Sequence, residues 1–298
     1  MGKEEIRKKY VRHGGIQGKN EMAVERLINM VEEQKSCSNT YIRNIAENFD
    51  ALEKRMPNFI IFESEKENNT FFMPTFNALQ IDTSNNDIVL AHEYGHAVLK
   101  AFNETALPDD FNNILARAKQ HALLPENKEK FMKYIEYLTD DTKQERTEEE
   151  KGPVSDIISS VFQFPALTFA KDGIKHVLPS FHDRSYYYDE ENKEPKYNKI
   201  FDEQFANFYS LTAHERENEL NTLRQLFGNE FMQTMEKQLE LASNRADLSK
   251  ETEEKDIIPK EKIASVIMNV TKSQIDSVRN IENELENKTK ENDELTKE

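Results

Sequence analysis

The stretch Ser84 to Phe102, SNNDIVLAHEYGHAVLKAF, constrains the fold of this chain more than any other. Its centre is His92-Glu93-Tyr94-Gly95-His96, an H-E-x-x-H pattern. Ile88, Val89, Leu90, Ala91, Ala97, Val98, Leu99, Ala101 and Phe102 surround that centre with apolar side chains, as in a helix buried in a core. Two histidines and a glutamate inside such a helix are costly unless they are paired or coordinated. Helix positions i and i+4 share a face, so both imidazoles can reach one metal ion, with Glu93 beside it. Zn²⁺ favours this arrangement, with one further protein ligand and one position left open for water. Glu93 would then stand where it could take that water's proton. A pair of hydrogen-bonded core histidines is the plainer alternative, and the burial cost counts against it.

The 298 residues have room for one large domain or two modest ones. Charged residues at 32%, eight glycines and no tryptophan point to a helix-rich chain rather than a β-sandwich. A formal net charge of −16 argues against nucleic acid or an anionic membrane as the main partner, and fits poorly with an acidic substrate. Cys37 is the one cysteine, so no intrachain disulfide forms. The N-terminal residues are charged and lack an apolar h-region, so no secretory signal is expected. Gly2 does not complete a myristoylation motif, because Ile6 stands where Ser or Thr is needed. No run approaches the roughly eighteen apolar residues of a membrane span. The most apolar stretch, Ile157 to Ala170, is broken by Ser159, Ser160, Gln163 and Pro165.

Periodicity divides the chain into three regions. Residues 1–55 read as an N-terminal helical scaffold: a basic helix ending near Gly14-Gly15, then helices over Asn20 to Gln34 and Thr40 to Lys54. Residues 56–243 carry the chemistry. Asn58 to Phe62, Thr70 to Pro74 and Asn77 to Asp82 read as short strands, with Pro74 suited to an edge or bulge. The small sheet comes directly before the motif helix, and its edge strand could pair with an extended peptide and lay the scissile bond across the metal. Helices are expected over Phe111 to Leu123 and Asn127 to Leu138, followed by a charged connection, Asp140 to Lys151. Gly152-Pro153 restarts the ordered chain, with a buried apolar segment from Val154 to Ala170. Lys171 to Lys199 reads as one long irregular stretch. Helices return over Ile200 to Leu211 and Leu220 to Leu241, the latter interrupted at Gly228. Residues 244–298 form a polar linker and an amphipathic helix whose stripe, over 259–288, suits self-association or assembly. The fold class expected is α+β, mostly helical, with a small twisted sheet ahead of the motif helix.

Two histidines do not complete a metal site. The metzincin arrangement is excluded, because Leu99 and Phe102 stand where it needs Gly and His. Downstream candidates are Glu203, His176, His182, His214 and several exposed acids. Glu203 is the strongest, since its helix is otherwise apolar enough to be buried and a carboxylate there wants a positive partner. An exposed stripe on an amphipathic helix is the plainer reading of Glu203.

At this point a resemblance emerges. HEYGH followed by the segment D-E-Q-F-A-N-F-Y resembles the gluzincin metallopeptidases, and among them the anthrax lethal factor type. The series Ser155-Asp156-Ile157, then His182 to Tyr187, then Glu203, is similar to metallopeptidase domains of phage minor head (Mu-type head morphogenesis) proteins and polymorphic toxins. The likeness is at the level of motifs, over residues 58–240. Phe181 replaces the usual Gly before the histidine, and Asn207 stands where the lethal factor type has an acid. The span from His96 to Glu203 is long for the class and implies a helical insertion near 108–150.

The resemblance implies a zincin-like domain and a zinc-dependent endopeptidase: Zn²⁺ on His92, His96 and Glu203, with Glu93 as general base. It favours His182 and Tyr186 or Tyr187 as donors to the oxyanion, with Tyr197 a further candidate one residue out of register. Asp156 is expected either to orient a ligand imidazole or to cap the helix that follows it. The alternative function is a non-catalytic phage structural or interaction module with a vestigial site, against which the intact Glu93 stands. The implied location is cytoplasmic or phage-particle-associated, with export requiring a non-classical or toxin-delivery route.

Overall fold

The computed structural model describes residues 2–11, 19–64, 69–103, 107–139, 148–162, 168–171, 174–177 and 184–248. The chain divides into two compact units, Met1–Glu251 and Thr252–Glu298; the second, including the stripe expected at 259–288, lies outside the described residues. Four helices open the first unit: α1 (Lys3–Tyr10), α2 (Glu21–Gln34), α3 (Thr40–Glu47) and α4 (Phe49–Arg55). Strands β1 (Ile60–Glu63), β2 (Phe71–Met73) and β3 (Ala78–Ile81) lead into the motif helix α5 (Asp87–Asn103). Helices α6 (Phe111–Ala122), α7 (Pro125–Thr139) and α8 (Glu148–Phe162) follow. Then come a ribbon of β4 (Thr168–Lys171) and β5 (Ile174–Val177), the one-turn helix α9 (Arg184–Tyr187), and a second ribbon of β6 (Tyr188–Asp189) and β7 (Glu194–Pro195). Helices α10 (Tyr197–Ala213), α11 (Glu217–Phe227) and α12 (Asn229–Leu248) complete the unit. The architecture is α+β and mostly helical.

The three-stranded sheet has the order β1-β3-β2, with β1 parallel and β2 antiparallel to β3. Strand β2 therefore lies at an edge, with Phe72 opposite Leu79. Pro74 follows β2 at once and opens a 3₁₀ turn, a place where its missing N–H costs no ladder bond. The loop from β3 to α5 is closely tied. Thr70 Oγ1 accepts from the Asp82 N–H at 2.9 Å and from Asn85 Nδ2 at 3.0 Å. Arg26 of α2 donates to the Asp82 and Asn85 carbonyls at 2.9 and 2.5 Å. Asn86 Oδ1 accepts the Ile88 N–H at 3.0 Å, satisfying a first-turn donor of α5.

A single hydrophobic cluster runs from Ile6 of α1 to Ala246 of α12, so the N-terminal helices share a core with the motif helix. Phe49 of α4 stacks on Tyr94 at 6.2 Å between ring centroids, and Tyr94 meets Tyr209 of α10 edge-on at 6.0 Å.

Several elements differ from their sequence readings. The helix expected over Thr40 to Lys54 is two, parted at Asn48, whose side chain donates to Asn44 and to Asp247 of α12. Helix α8 starts ahead of Gly152-Pro153 and carries Pro153 inside it. Val154, Ile157, Ile158 and Val161 are buried in the core, and that packing outweighs the proline's helix penalty. The stretch 171–199 contains the end of β4, all of β5, α9, β6 and β7, and the start of α10, rather than irregular chain alone. The interruption expected at Gly228 is present, with φ at 85°. Helix α12 continues to Leu248, past the start of the expected linker.

Candidate metal centre

Helix α5 is buried over most of its circumference, with Ala91, Tyr94, Gly95, Ala97, Val98 and Leu99 in the interior. Val89, His92, Glu93, His96 and Lys100 share a face of the helix and form a partly open strip. The side chains of His92, Glu93 and His96 keep 13%, 16% and 11% of their exposure, so the site is sheltered yet reachable. The apolar residues that surround the motif in sequence leave this strip of the helix partly open.

Helix α10 packs against α5. The approach is set by Gly95, where a Cβ would lie 3.0 Å from Ala206 Cα and 3.2 Å from Ala206 O. Such closeness brings Glu203 to the histidines. Glu203 is 1% exposed, which removes the exposed-stripe reading. Its Oε2 lies 3.3 Å from His92 Nε2 and 3.5 Å from His96 Nε2, and the two Nε2 atoms are 3.2 Å apart. His92, His96 and Glu203 thus form a group that could hold a metal ion.

The donor set passes a simple geometric test. Tetrahedral zinc with bonds of about 2.0–2.1 Å has ligand–ligand edges of roughly 3.3–3.4 Å. The three observed separations bracket that value. Two imidazole nitrogens and one carboxylate oxygen are also the donor types of a catalytic zinc site.

The surroundings orient these donors. His96 Nδ1 lies 3.1 Å from Asp202 Oδ1. A proton on Nδ1, donated to that carboxylate, leaves the Nε2 lone pair for a metal. Burial works against a charged His96, but Glu203 and Asp202 together raise its pKa well above the ordinary histidine value. The pocket therefore favours positive charge where the three donors converge. Tyr186 of α9 donates to Glu203 Oε1 at 2.7 Å, leaving Oε2 turned to the histidines. Glu93 Oε2 accepts the Phe72 N–H of β2 at 2.8 Å, and its Oε1 stands 3.9 Å from His92 Nε2.

Other expected residues fall elsewhere. Asp156 is in mid-α8, so it caps no helix, and its hydrogen bonds among the described residues go to Tyr187 and Asn207 rather than to His92 or His96. Its carboxylate accepts from Tyr187 at 2.8 and 2.9 Å and from Asn207 Nδ2 at 2.8 Å. Tyr187 is fully buried with its hydroxyl given to Asp156, and burial, with Asp156 beside it, raises its pKa far out of the working range. Of the adjacent tyrosines, Tyr186 is the one whose hydroxyl meets the metal-ligand group. Tyr197 opens α10 and packs, half-buried, against the core. His182 lies outside the described residues. His176 is on β5, and His214 follows the end of α10, outside the metal-ligand group.

Asp202 and the Phe72 N–H were not anticipated from sequence. For Asp202 a signal exists: it is the second acid in an otherwise apolar helix, directly beside Glu203. No sequence signal marks a backbone N–H. No protein-family model, curated protein or solved structure matches the chain.

Proposed function

We propose that this chain is a zinc-dependent endopeptidase of the gluzincin type, with a zincin-like arrangement of sheet and motif helix. The observation that carries the reading is the meeting of His92, His96 and Glu203 at tetrahedral spacing, with the Glu93 carboxylate bonded to the adjacent sheet edge. His92 Nε2, His96 Nε2 and Glu203 Oε2 would hold the ion. When bound, zinc supplies Lewis acidity, lowering a water's pKa toward neutrality and polarising a carbonyl.

The chain's own residues account for the rest. Glu93 Oε2 is anchored by the Phe72 N–H, which leaves Oε1 to take a proton from water and pass it to the leaving amine. Asp202 fixes the His96 ring and Tyr186 fixes Glu203. An extended peptide adding to the edge of β2 would pass the Glu93 carboxylate at Phe72, so the strand that binds the substrate also positions the base. The motif likeness supports a kinship with phage minor head or polymorphic-toxin peptidases.

The test pairs metal analysis with an unbiased peptide-library cleavage assay. Wild-type protein should carry one chelator-removable zinc and cleave peptides. Glu93→Gln should keep the zinc and lose turnover by at least a hundredfold, the lower range of general-base contributions. A Glu93→Gln variant of full activity would overturn the reading. So would wild-type protein that binds no zinc.

A further inference from the structure

Asp156 is a carboxylate with no exposure, in the middle of α8. Burying such a group is costly, and its position asks for a reason. Its hydrogen bonds reach two other elements: Tyr187 on α9 and Asn207 on α10. Asn207 lies one helical turn beyond Glu203. Tyr187 adjoins Tyr186, with the two rings at right angles and 5.3 Å between centroids. Two parallel links thus join α9 to α10. One is Tyr186 to Glu203, at 2.7 Å; the other is Tyr187 to Asn207 through the Asp156 carboxylate.

The second link matters because α9 cannot hold itself in place. A single turn of four residues lies far below the length at which a helix is stable alone. Besides Tyr186–Glu203, its anchors among the described residues include the Lys196 N–H to the Tyr187 carbonyl at 2.8 Å, Lys196 Nζ to the Ser185 carbonyl at 2.8 Å, and the buried Tyr187–Asp156 bonds. Of these, the Tyr187–Asp156 pair is the one in the interior, where a hydrogen bond to a charged acceptor is strong.

We propose that Asp156 is a positioning residue for the metal site, acting through Tyr187 to hold α9 so that the Tyr186 hydroxyl meets Glu203 Oε1 and leaves Oε2 facing His92 and His96. The proposal rests on the metal-site reading given above. It assigns no contact between Asp156 and the metal or a substrate. Asp156 sets the orientation of a ligand two steps away, and Asn207 registers its carboxylate against the helix that bears that ligand.

The experiment measures zinc affinity by chelator competition, together with the visible spectrum of the cobalt-substituted protein. Variants are Asp156→Asn, Tyr187→Phe, Tyr186→Phe and the doubles with Tyr186→Phe. Each single variant should weaken zinc binding about 10–100-fold, as loss of an outer hydrogen-bond partner does, and shift the cobalt bands. Each double should be no weaker than Tyr186→Phe alone, because both changes break one chain of contacts. Additive losses would overturn the proposal, since a merely structural Asp156 would act independently of Tyr186. Unchanged affinity and spectrum in Asp156→Asn and Tyr187→Phe would also overturn it. If Asp156→Asn does not fold, Tyr187→Phe, which removes only a hydroxyl, carries the same test. Failure of the underlying reading looks different: wild-type protein would then bind zinc no better than His92→Ala.

Discussion

Gly95→Ala tests whether the closeness of two helices builds the site. The added Cβ would lie 3.0 Å from Ala206 Cα, 3.2 Å from Ala206 O and 3.2 Å from Tyr209 Cβ. Optimal carbon–carbon separation is about 3.5–4.0 Å, so α5 and α10 must part by roughly 0.5–1 Å. Two of the three opposing atoms belong to the Ala206 backbone and cannot rotate aside. Overpacking of this size costs about 1–3 kcal/mol. Alanine in a helix interior recovers about 1 kcal/mol over glycine. The net loss expected is therefore about 0–2 kcal/mol, a few degrees in melting temperature. Metal affinity should respond more strongly than stability. Helix α10 carries Glu203, whose Oε2 sits 3.3 and 3.5 Å from the two Nε2 atoms, and a shift of this size takes it off the tetrahedral spacing. We expect zinc affinity to fall by about tenfold or more, comparable to loss of an outer hydrogen-bond partner. Thermal melts of metal-free protein and zinc competition with a chelator measure the two effects separately. A Gly95→Ala protein that gains the full propensity increment and binds zinc as tightly as wild type would refute the reasoning.

Two further predictions concern the same residues. Asp202→Ala removes the acceptor for His96 Nδ1 and should lower zinc affinity about 10–100-fold while leaving the fold intact by circular dichroism. The acidity of His96 predicts a pH dependence in metal-free protein. Its pKa is higher in the folded chain than the ordinary 6.5, so its stabilising contribution is complete below that value and is lost as pH rises through the folded one. Melting temperature in excess chelator should therefore drop on the alkaline side of neutrality. His96→Asn should remove that slope, and a slope that survives the substitution would assign it to another group.

The legible part of this chain is what a single helix reveals about itself. The spacing of His92 and His96 puts both imidazoles on one face whatever lies opposite, and Glu203 stands out as an acid among Ile200, Phe201, Phe205 and Phe208. The strands ahead of α5 are legible too, because Phe71 to Met73 and Ala78 to Ile81 are short apolar runs bounded by turn residues, whereas β4 to β7 are not. What stayed hidden depends on where two elements cross. Asn48 divides a helix by bonding to Asp247, far along the sequence, and no local pattern announces such a partner. By its chemistry Asp156 suits an imidazole or a helix cap equally, whereas the packing of α8 against α10 and α9 delivers it to Asn207 and Tyr187. Gly95 shows the difference most clearly. Inside the motif it occupies a position open to any residue, and helix propensity alone would disfavour glycine there. Against α10 it is the position that admits the Ala206 backbone. The ligand spacing is thus fixed by the small residues between the helices as much as by the ligands themselves. A chain that kept His92, His96 and Glu203 but enlarged residues 95 and 206 would retain every legible sign of the site while losing its geometry.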